Sequence, residues 1–442
     1  MLRRITRLFH KAGTANPSII SSEHHPILPT MISKDAKKVV ETLQAKGFEA
    51  YLVGGCIRDL LLNMKPKDFD VATDAEPAQV KALFRRSRII GRRFQIVHVQ
   101  FSRELIEVTT FRSNEKSDSE LQGDSLSLRQ KSKSGMLTRD NVFGNIDDDA
   151  ARRDLTINAL YYNPSTNIIY DFTGGLKDIN NQIIRMIGIP STRYREDPVR
   201  ILRVIRFAAK LGFKIDSNTS KPMQKLGSDL KHVSPPRFFD ECLKLFMNGN
   251  GTTTYALLKQ YHLFDYIIPQ AANLVADKST NTDFLFEQAF LNTDNRIKSN
   301  KRVTPAFIFA VLLWPSVVKL TKIYQQKGNS PSYSIAKAGA DVVSEQVRIT
   351  AIPKRFTIPM REIWDLQFQL PRRGGKRASR LSEHPRFRAG YDFILLREQA
   401  GENLDGLGDW WTRYQDVDSE EKIKMSERAG KTNKKRRRKK NS

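Results

Sequence analysis

Residues 54–70 read GGCIRDLLLNMKPKDFD, and the fold of the first third of the chain follows from how this stretch is parsed. The apolar residues Ala50 to Val53 run into it, so the order is a short strand, a Gly-Gly turn and the start of a helix. KPKDFDVAT (65–73) then reads as a strand with charged residues at alternate positions. On an extended strand, residues two apart face the same side, which brings Asp68 and Asp70 together and turns Phe69 toward the core. Two neighbouring carboxylates repel unless a cation joins them, so the pair reads as a divalent-metal site; a solvated acidic pair on an edge strand is the alternative for an isolated DxD. Magnesium suits such a pair, because it commonly binds one or two carboxylates together with substrate phosphates. The upstream glycines tip the balance. Gly54 and Gly55 let backbone N–H groups approach a phosphate, and the helix start carrying Arg58 and Asp59 adds its dipole. Together these residues describe a phosphate cradle beside a metal site.

Working outward, Ala36, Val39, Val40 and Leu43 mark an amphipathic helix from about Lys34 to Gly47. Residues 1–30, with Pro17, Pro26 and Pro29, read as a loose leader. RIIGRRFQIVHVQF (88–101) and ELIEVTTFR (104–112) are β segments rich in β-branched residues. The Ser-rich, polar stretch 113–140 reads as a mobile loop. From about Asp197 the period becomes helical, in PVRILRVIRFAAKLGF (198–213) and in PPRFFDECLKLF (235–246), with Ser234 as a cap and Pro235 in the first turn. The helical pattern continues to about Tyr414, and a basic tail, expected to be disordered, covers 426–442. The boundaries expected are a leader (1–30), an α/β head (31–185), helical regions (186–275 and 276–425) and the tail.

Composition narrows the function. The 442 residues carry 74 Lys and Arg against 48 Asp and Glu, a formal charge of +26 that suits a polyanionic partner, nucleic acid foremost. With 39% hydrophobic residues the chain has enough apolar side chains to build cores. Two cysteines, Cys56 and Cys242, make no disulfide scaffold and fit a reducing compartment. MLRRITRLFH lacks the apolar centre of a signal peptide. The longest apolar run, Ala306 to Trp314, halts at Pro315, well short of the roughly 20 residues a membrane span needs. Secreted and membrane-spanning classes are set aside on these grounds.

GG-x-x-RD-x-LL followed by DFD resembles the signature of class II nucleotidyltransferases of the polymerase β superfamily, which includes CCA-adding enzymes and bacterial poly(A) polymerases. The resemblance continues through RRDLTINALYY (152–162), DFTGG (171–175) and REDPVRILRVIRFAAKLGF (195–213), covering about 48–250 closely. IIGRRFQIVHV (89–99), PRFRAGYDFILLR (385–397) and GDWW (408–411) are similar to the bacterial poly(A) polymerases in particular. The resemblance implies an α+β fold: a polymerase β-like head with a mixed sheet, then a mainly α-helical neck, body and Arg-rich C-terminal region. It implies a cytoplasmic enzyme that adds AMP from ATP to RNA 3′ ends without a template and releases pyrophosphate, in mRNA processing and decay. A CCA-adding enzyme, or an inactive RNA-binding relative, are the alternatives.

The same resemblance suggests roles. Asp68 and Asp70 hold two Mg2+ ions; Asp154 is the third catalytic carboxylate, with Glu107 as a second candidate near the metals. Ion-pairing with Arg153 is the plainer account of Asp154. Gly54, Gly55 and Arg58 cradle the triphosphate, and Arg152 and Arg153 lie near ribose or triphosphate. Glu196, Asp197 and Arg200 select the base. If Asp197 caps a helix, Arg200 lies one turn on, and an Asp acceptor with an Arg fork complements the edge of adenine. Arg203 continues that stripe, whereas Arg206 reads as part of a solvated face. RNA is expected on Arg372, Arg373, Lys376 and Arg377 and on the tail residues Lys434, Lys435, Arg436, Arg437 and Arg438, which also offer a docking point for a protein partner. Phe387, Tyr391, Trp410 and Trp411 are either stacking partners for bases or core residues, and Cys56 reads as a packed thiol.

Overall fold

The computed structural model describes residues 16–91, 95–113, 129–131, 137–140 and 142–440, with side chains for all but 129–131, 137–140 and 431–440. The chain separates into two compact units, residues 1–229 and 230–442, a division that falls inside the segment 186–275.

The first unit is built on a mixed eight-stranded sheet. Its strands are β1 (Ser18–Ile20), β2 (Ala50–Val53), β3 (Asp70–Thr73), β4 (Ser87–Ile90), β5 (Ile96–Gln100), β6 (Leu105–Thr110), and, beyond a small hairpin of β7 (Arg129–Lys131) and β8 (Leu137–Asp140), β9 (Leu160–Asn163) and β10 (Ile168–Asp171). The spatial order is β1-β10-β9-β2-β3-β6-β5-β4. Only β3 and β6 pair in parallel; the remaining neighbours are antiparallel. Helices α1 (Lys34–Ala45), α2 (Gly55–Leu61), α3 (Pro77–Leu83), α4 (Ile146–Arg152), α5 (Gly175–Asn180), α6 (Pro190–Glu196) and α7 (Val199–Leu211) belong to this unit.

The expected local elements form for the expected reasons. Helix α1 buries Ala36, Val39, Val40 and Leu43, and Ser33 caps it by accepting from the Ala36 N–H at 3.3 Å. Beneath the site an aromatic layer joins sheet and helix: Val53, Ala72, Phe111, Ala150 and Tyr161 are buried together, with Tyr51, Ile146, Tyr170 and Phe172 packed around them. Tyr51 stacks on Phe111 and meets Tyr161 and Tyr170 edge-on. This layer fixes α4 against β2, β3 and β9, and with it Arg152 at the end of α4 and Arg153 just after it.

Several boundaries differ from those read along the sequence. Part of the leader joins the sheet, since Ser18–Ile20 pairs with Ile169, Tyr170 and Asp171. So short a strand gains its hydrogen bonds only once β10 supplies an edge. The DFD strand begins at Asp70, so Asp68 and Phe69 lead into it. Within the 113–140 loop the hairpin of β7 and β8 forms; 114–128 and 132–136 lie outside the described residues. Asp197 is the C-cap of α6 and Pro198 the N-cap of α7, so Asp197 does not cap the helix that carries Arg200. Ser234 stands at its cap position without a side-chain hydrogen bond.

The second unit is helical. The helix Pro305–Gln326 continues through Pro315 instead of stopping there. Dense apolar packing offsets the single lost hydrogen bond, with Phe309, Leu312, Leu313, Trp314 and Val317 all buried. By length and composition this helix could cross a bilayer, but 61% of its most apolar window is covered by the protein itself, as in a core helix. A second core gathers Leu366, Leu370, Phe387, Tyr391, Ile394, Trp411 and Tyr414. The last helix, Ser419–Lys440, runs on into the basic stretch read as the tail. Met425 and Ser426 are buried, and Gly430 lies against Gly374, close enough to anchor the helix there.

Candidate active site

The Gly-Gly turn and the acidic pair meet through strand register. Val53, the last residue before the turn, pairs with Asp70 across β2 and β3, and Asp70 pairs with Glu107 across β3 and β6. In-register neighbours present side chains on the same face, so the carboxyl groups at 70 and 107 share a surface next to the turn. Over Asp68, Phe69 and Asp70 the exposure alternates as exposed, buried and half-buried. Burial, then the charge of Glu107, then that of Asp68 push the Asp70 carboxyl up to about 7, with Arg153 acting in the opposite sense. Glu107 in turn faces His98, its register partner on β5, with Nε2 and Oε1 3.3 Å apart.

The turn itself needs glycine. Gly54 has φ of +84° and ψ of −132°, a conformation that L side chains rarely adopt. A Cβ at Gly54 would also come within 3.6 Å of Arg153 Nη1, which marks how closely that guanidinium approaches the turn. Cys56 is buried and donates to the Val53 carbonyl at 3.3 Å; burial, followed by the charge of Asp70, pushes its thiol up to about 12. It is a packing group, as expected.

The arginines are held far more tightly than sequence spacing conveys. Arg58 is buried, donating from Nε and Nη2 to Asp59 at 2.9 and 2.6 Å and from Nη1 to the side-chain oxygen of Asn158. Its fork therefore faces its own neighbours and not an open cradle. Asp59 also accepts from Lys210 on α7 at 3.1 Å. Asn158 reaches on to Asp154 at 3.4 Å, and Asp154 accepts from Arg203 Nε at 2.5 Å and from the Leu155 N–H at 2.8 Å. A continuous polar chain, Lys210–Asp59–Arg58–Asn158–Asp154–Arg203, thus ties α2 to α7 in two places. The partner of Asp154 is Arg203, not Arg153. Burial alone would raise the Asp154 carboxyl, but Arg203, the Leu155 N–H and Arg200 together outweigh it and hold the group below the usual carboxylate range.

Arg153 pairs with Asp149 at 2.9 Å and donates to the Tyr161 hydroxyl at 2.9 Å, with its guanidinium over the Tyr161 ring. Arg152 donates to the Ser113 carbonyl. Arg193, on α6, donates to the carbonyls of both Arg152 and Arg153 and to Glu196 at 3.0 Å. Glu196 also accepts from Arg200 at 3.0 Å, so Glu196 and Arg200 are brought together across the α6–α7 junction, with Asp197 buried between them in sequence. Arg206 differs from the solvated-face expectation. It lies over the Phe207 ring at 4.9 Å, and Arg58 and Arg203 approach the same ring at 4.8 and 5.8 Å.

Sequence reasoning missed four contributors. Asn158 and Arg193 act through contacts made 100 and about 40 residues away, and neither Phe207 nor His98 stands out in its local sequence. For Asn158 the one available signal was its place inside RRDLTINALYY; for His98 it was the position opposite Glu107, visible only once the register is known.

In the second unit, Arg372 and Arg377 come together with Arg380 and His384 around a pocket of about 370 Å³ that Asp365 also lines. Arg373 lies over Trp410 at 5.1 Å, and Lys376 is exposed at the start of the helix Lys376–Ser382. Phe387, Tyr391 and Trp411 are buried in the core, and the Trp411 ring N–H donates to the Leu370 carbonyl at 3.2 Å, so these three are unavailable for stacking on bases. The side chains of Lys434, Lys435, Arg436, Arg437 and Arg438 lie outside the described residues.

Among the described residues no group of three or more His, Cys, Asp and Glu is arranged to enclose a metal ion alone. Asp68, Asp70 and Glu107 nevertheless fit magnesium. They are oxygen donors in mutual repulsion, with at least one side exposed for water and phosphate to complete the sphere.

Comparison with known proteins agrees with this geometry. Residues 50–185 match the poly A polymerase head domain, 212–274 the "Probable RNA and SrmB-binding site of polymerase A", and 327–442 the polymerase A arginine-rich C-terminus. Poly(A) polymerase I of Salmonella typhi is 46% identical over 403 residues, 90% of this chain and 86% of that protein. Its counterpart in Haemophilus influenzae is 43% identical over 92% of this chain and 90% of its own length. The CCA-adding enzyme of Staphylococcus epidermidis is 34% identical over 53% of this chain and 55% of its own. Among solved structures, an apo CCA-adding enzyme aligns with a TM-score of 0.60 at 19% identity, covering 87% of this chain and 84% of the other; at that identity the likeness speaks for the fold. A head of mixed sheet, an acidic pair registered beside a glycine turn, and full-length likeness at this level lead to one conclusion: the chain belongs to the bacterial poly(A) polymerase family.

Proposed function

We propose that this polynucleotide adenylyltransferase works through Asp68 and Asp70 as ligands of two magnesium ions, with ATP as the donor and an RNA 3′ hydroxyl as the acceptor. The observation that carries the reading is the register Val53–Asp70–Glu107, which sets a half-buried, repelling carboxylate beside the Gly54 turn. The ions, when bound, supply a lowered pKa for the attacking hydroxyl and charge compensation for the departing pyrophosphate. Asp68 and Asp70 hold the ions, and Glu107, rather than Asp154, is the third carboxylate on their face. Gly54 and Gly55 admit phosphate to the backbone N–H groups at the start of α2. Arg153, at the turn, faces the triphosphate.

Asp154 acts by holding Arg203, and Arg58 acts by holding α2 to α7 through Asn158 and Asp59. Glu196 and Arg200, fixed together, present a planar donor–acceptor edge with Asp197 for adenine. Because that selector and the phosphate turn are tied into one network, base and triphosphate are read by one rigid element. Exposed Arg372, Lys376 and Arg377, with the basic tail, grip RNA through its backbone or dock a partner protein, and two free, buried cysteines support the reading of a cytoplasmic enzyme. The test is incorporation on a generic RNA 3′ end with each of the four triphosphates, and on tRNA lacking CCA. ATP should dominate on both; prompt CTP incorporation on the tRNA would overturn the assignment of adenine as the selected base.

A further inference from the structure

A second cavity in the second unit is lined by neither Arg372 nor Arg377. It measures about 890 Å³ and is framed by the helices Thr282–Lys298, Pro305–Gln326, Lys354–Gln369 and Phe387–Gln399. Its wall carries six cations: Arg296, Lys301, Arg302, Arg355, Arg386 and Arg388. Asp392 is the one acidic residue among those lining it. Arg296 and Arg388 share Asp392 at 3.7 and 2.9 Å, and Arg386 pairs with Glu362 at 2.9 Å. Lys301 and Arg302 are exposed and have no ion-pair partner among the described residues. Below the cations the floor is apolar, with Ile363 and Leu396 buried and Phe307 and Phe356 half-buried; the guanidinium of Arg355 lies over Phe356 at 5.0 Å. At the rim, Asn292 donates to Gln399 at 3.0 Å, adding amide groups suited to base edges.

We infer that this cavity is an anchoring site for a segment of single-stranded RNA, separate from the residues that carry the acidic pair and the glycine turn. A wall of clustered, partly uncompensated cations over aromatic rings matches a chain of phosphates bearing flat bases. An acidic peptide would satisfy the cations and leave the aromatic floor without a planar partner. An anchor of this kind keeps the RNA on the enzyme between additions without reading sequence, since phosphates and π-faces are common to every nucleotide. The inference rests on the adenylyltransferase activity only in taking RNA as the polyanion, and its test is made without catalysis.

The experiment uses the full chain, without ATP, and measures binding of a 3′-blocked oligo(A) of roughly 15 nucleotides. The double variant Lys301→Glu/Arg302→Glu should bind it at least about ten-fold more weakly at low salt, with the log–log salt slope flattened by roughly 1.4, about 0.7 per lost contact. A charge-matched control, Lys322→Glu/Lys327→Glu, changes two exposed lysines outside the cavity. Unchanged affinity in the cavity variant, or the same loss in both variants, would overturn the site, the second result reducing it to net charge. An abasic oligomer of equal length should bind the native protein more weakly than oligo(A); equal binding would remove the bases from the cavity. Saturable binding of AMP that the cavity variant abolishes would replace the RNA segment with a free nucleotide and overturn the proposal. Adenylation assays of Asp70→Asn fail or succeed independently of all these outcomes.

Discussion

Two groups of basic residues, one in each unit, are used in opposite ways. In the first, Arg58, Arg153, Arg193, Arg200 and Arg203 each meet a carboxylate or amide at hydrogen-bond distance, and several stand over aromatic rings. A guanidinium removed from water must be compensated, so its geometry becomes fixed with its partner. In the second, Arg302, Arg372, Lys376 and Arg377 are exposed and have no ion pair among the described residues. Such groups attract a polyanion over a Debye length and adapt to its course, at little cost to folding. Placement of a reacting phosphate demands the first arrangement; holding an RNA of any sequence demands the second.

The sharpest way to break this contrast lies at the acidic pair. Asp70→Asn should lower kcat by on the order of 10³-fold or more if the proposed metal-binding role holds, because the variant removes a carboxylate ligand. Stability should move the other way. The Asp70 carboxyl is raised from 3.8 to about 7 in the folded protein, chiefly by burial and then by Glu107 and Asp68. The native state therefore holds that proton better than the unfolded chain does. Its contribution is complete below about pH 4 and is lost as pH rises through about 7. In metal-free protein at pH 8, Asp70→Asn should thus melt higher than the native chain, with the difference vanishing near pH 4. A lower melting temperature at pH 8 would show that the pair is not under repulsive strain.

The next effect separates fixed from free arginine within the first unit. Asn158→Ala leaves Arg58 without one acceptor and breaks the link to Asp154. A loss of about 2 kcal/mol in stability is expected from the unpaired buried group, together with a ten- to hundred-fold fall in kcat/KM for ATP. Denaturant melts and steady-state kinetics check both numbers. Activity unchanged at reduced stability would limit the network to folding.

The smallest effect belongs to the exposed group. Arg372→Glu/Arg377→Glu should raise the KM for RNA several-fold and flatten its salt slope by roughly 1.4, leaving the KM for ATP and the melting temperature nearly unchanged. A change in ATP affinity would mean that these residues are not merely solvated cations, and the contrast between the two units would soften.

Much of this was legible in 17 residues, because GGCIRDLLLNMKPKDFD names its own geometry. A glycine at a position with φ of +84° and an acidic pair around a buried phenylalanine follow from local chain stereochemistry, although the strand itself begins only at Asp70. The helix from Lys34, the β segments up to Thr110 and the amphipathic α7 follow from hydrophobic period in the same way. The structure departs from the local reading in three places. Pro315 sits inside a helix, the basic end of the chain continues a helix begun at Ser419, and three residues of the polar leader find a sheet edge.

By itself, then, the sequence determined the motif order, the element types of the head, the acidic pair and the surplus of positive charge, because each depends on neighbours a few residues apart. Tertiary structure alone decided that Glu107 stands beside Asp70, that Asp154 serves Arg203 and that Arg58 answers to Asn158. It also decided that six cations from three helices and the loops beside them share one cavity. Those pairings join residues from 37 to about 100 positions apart in the head, and burial raises the cost of leaving any of their charges unpaired, so the partner is chosen by packing and not by the chain's local preferences.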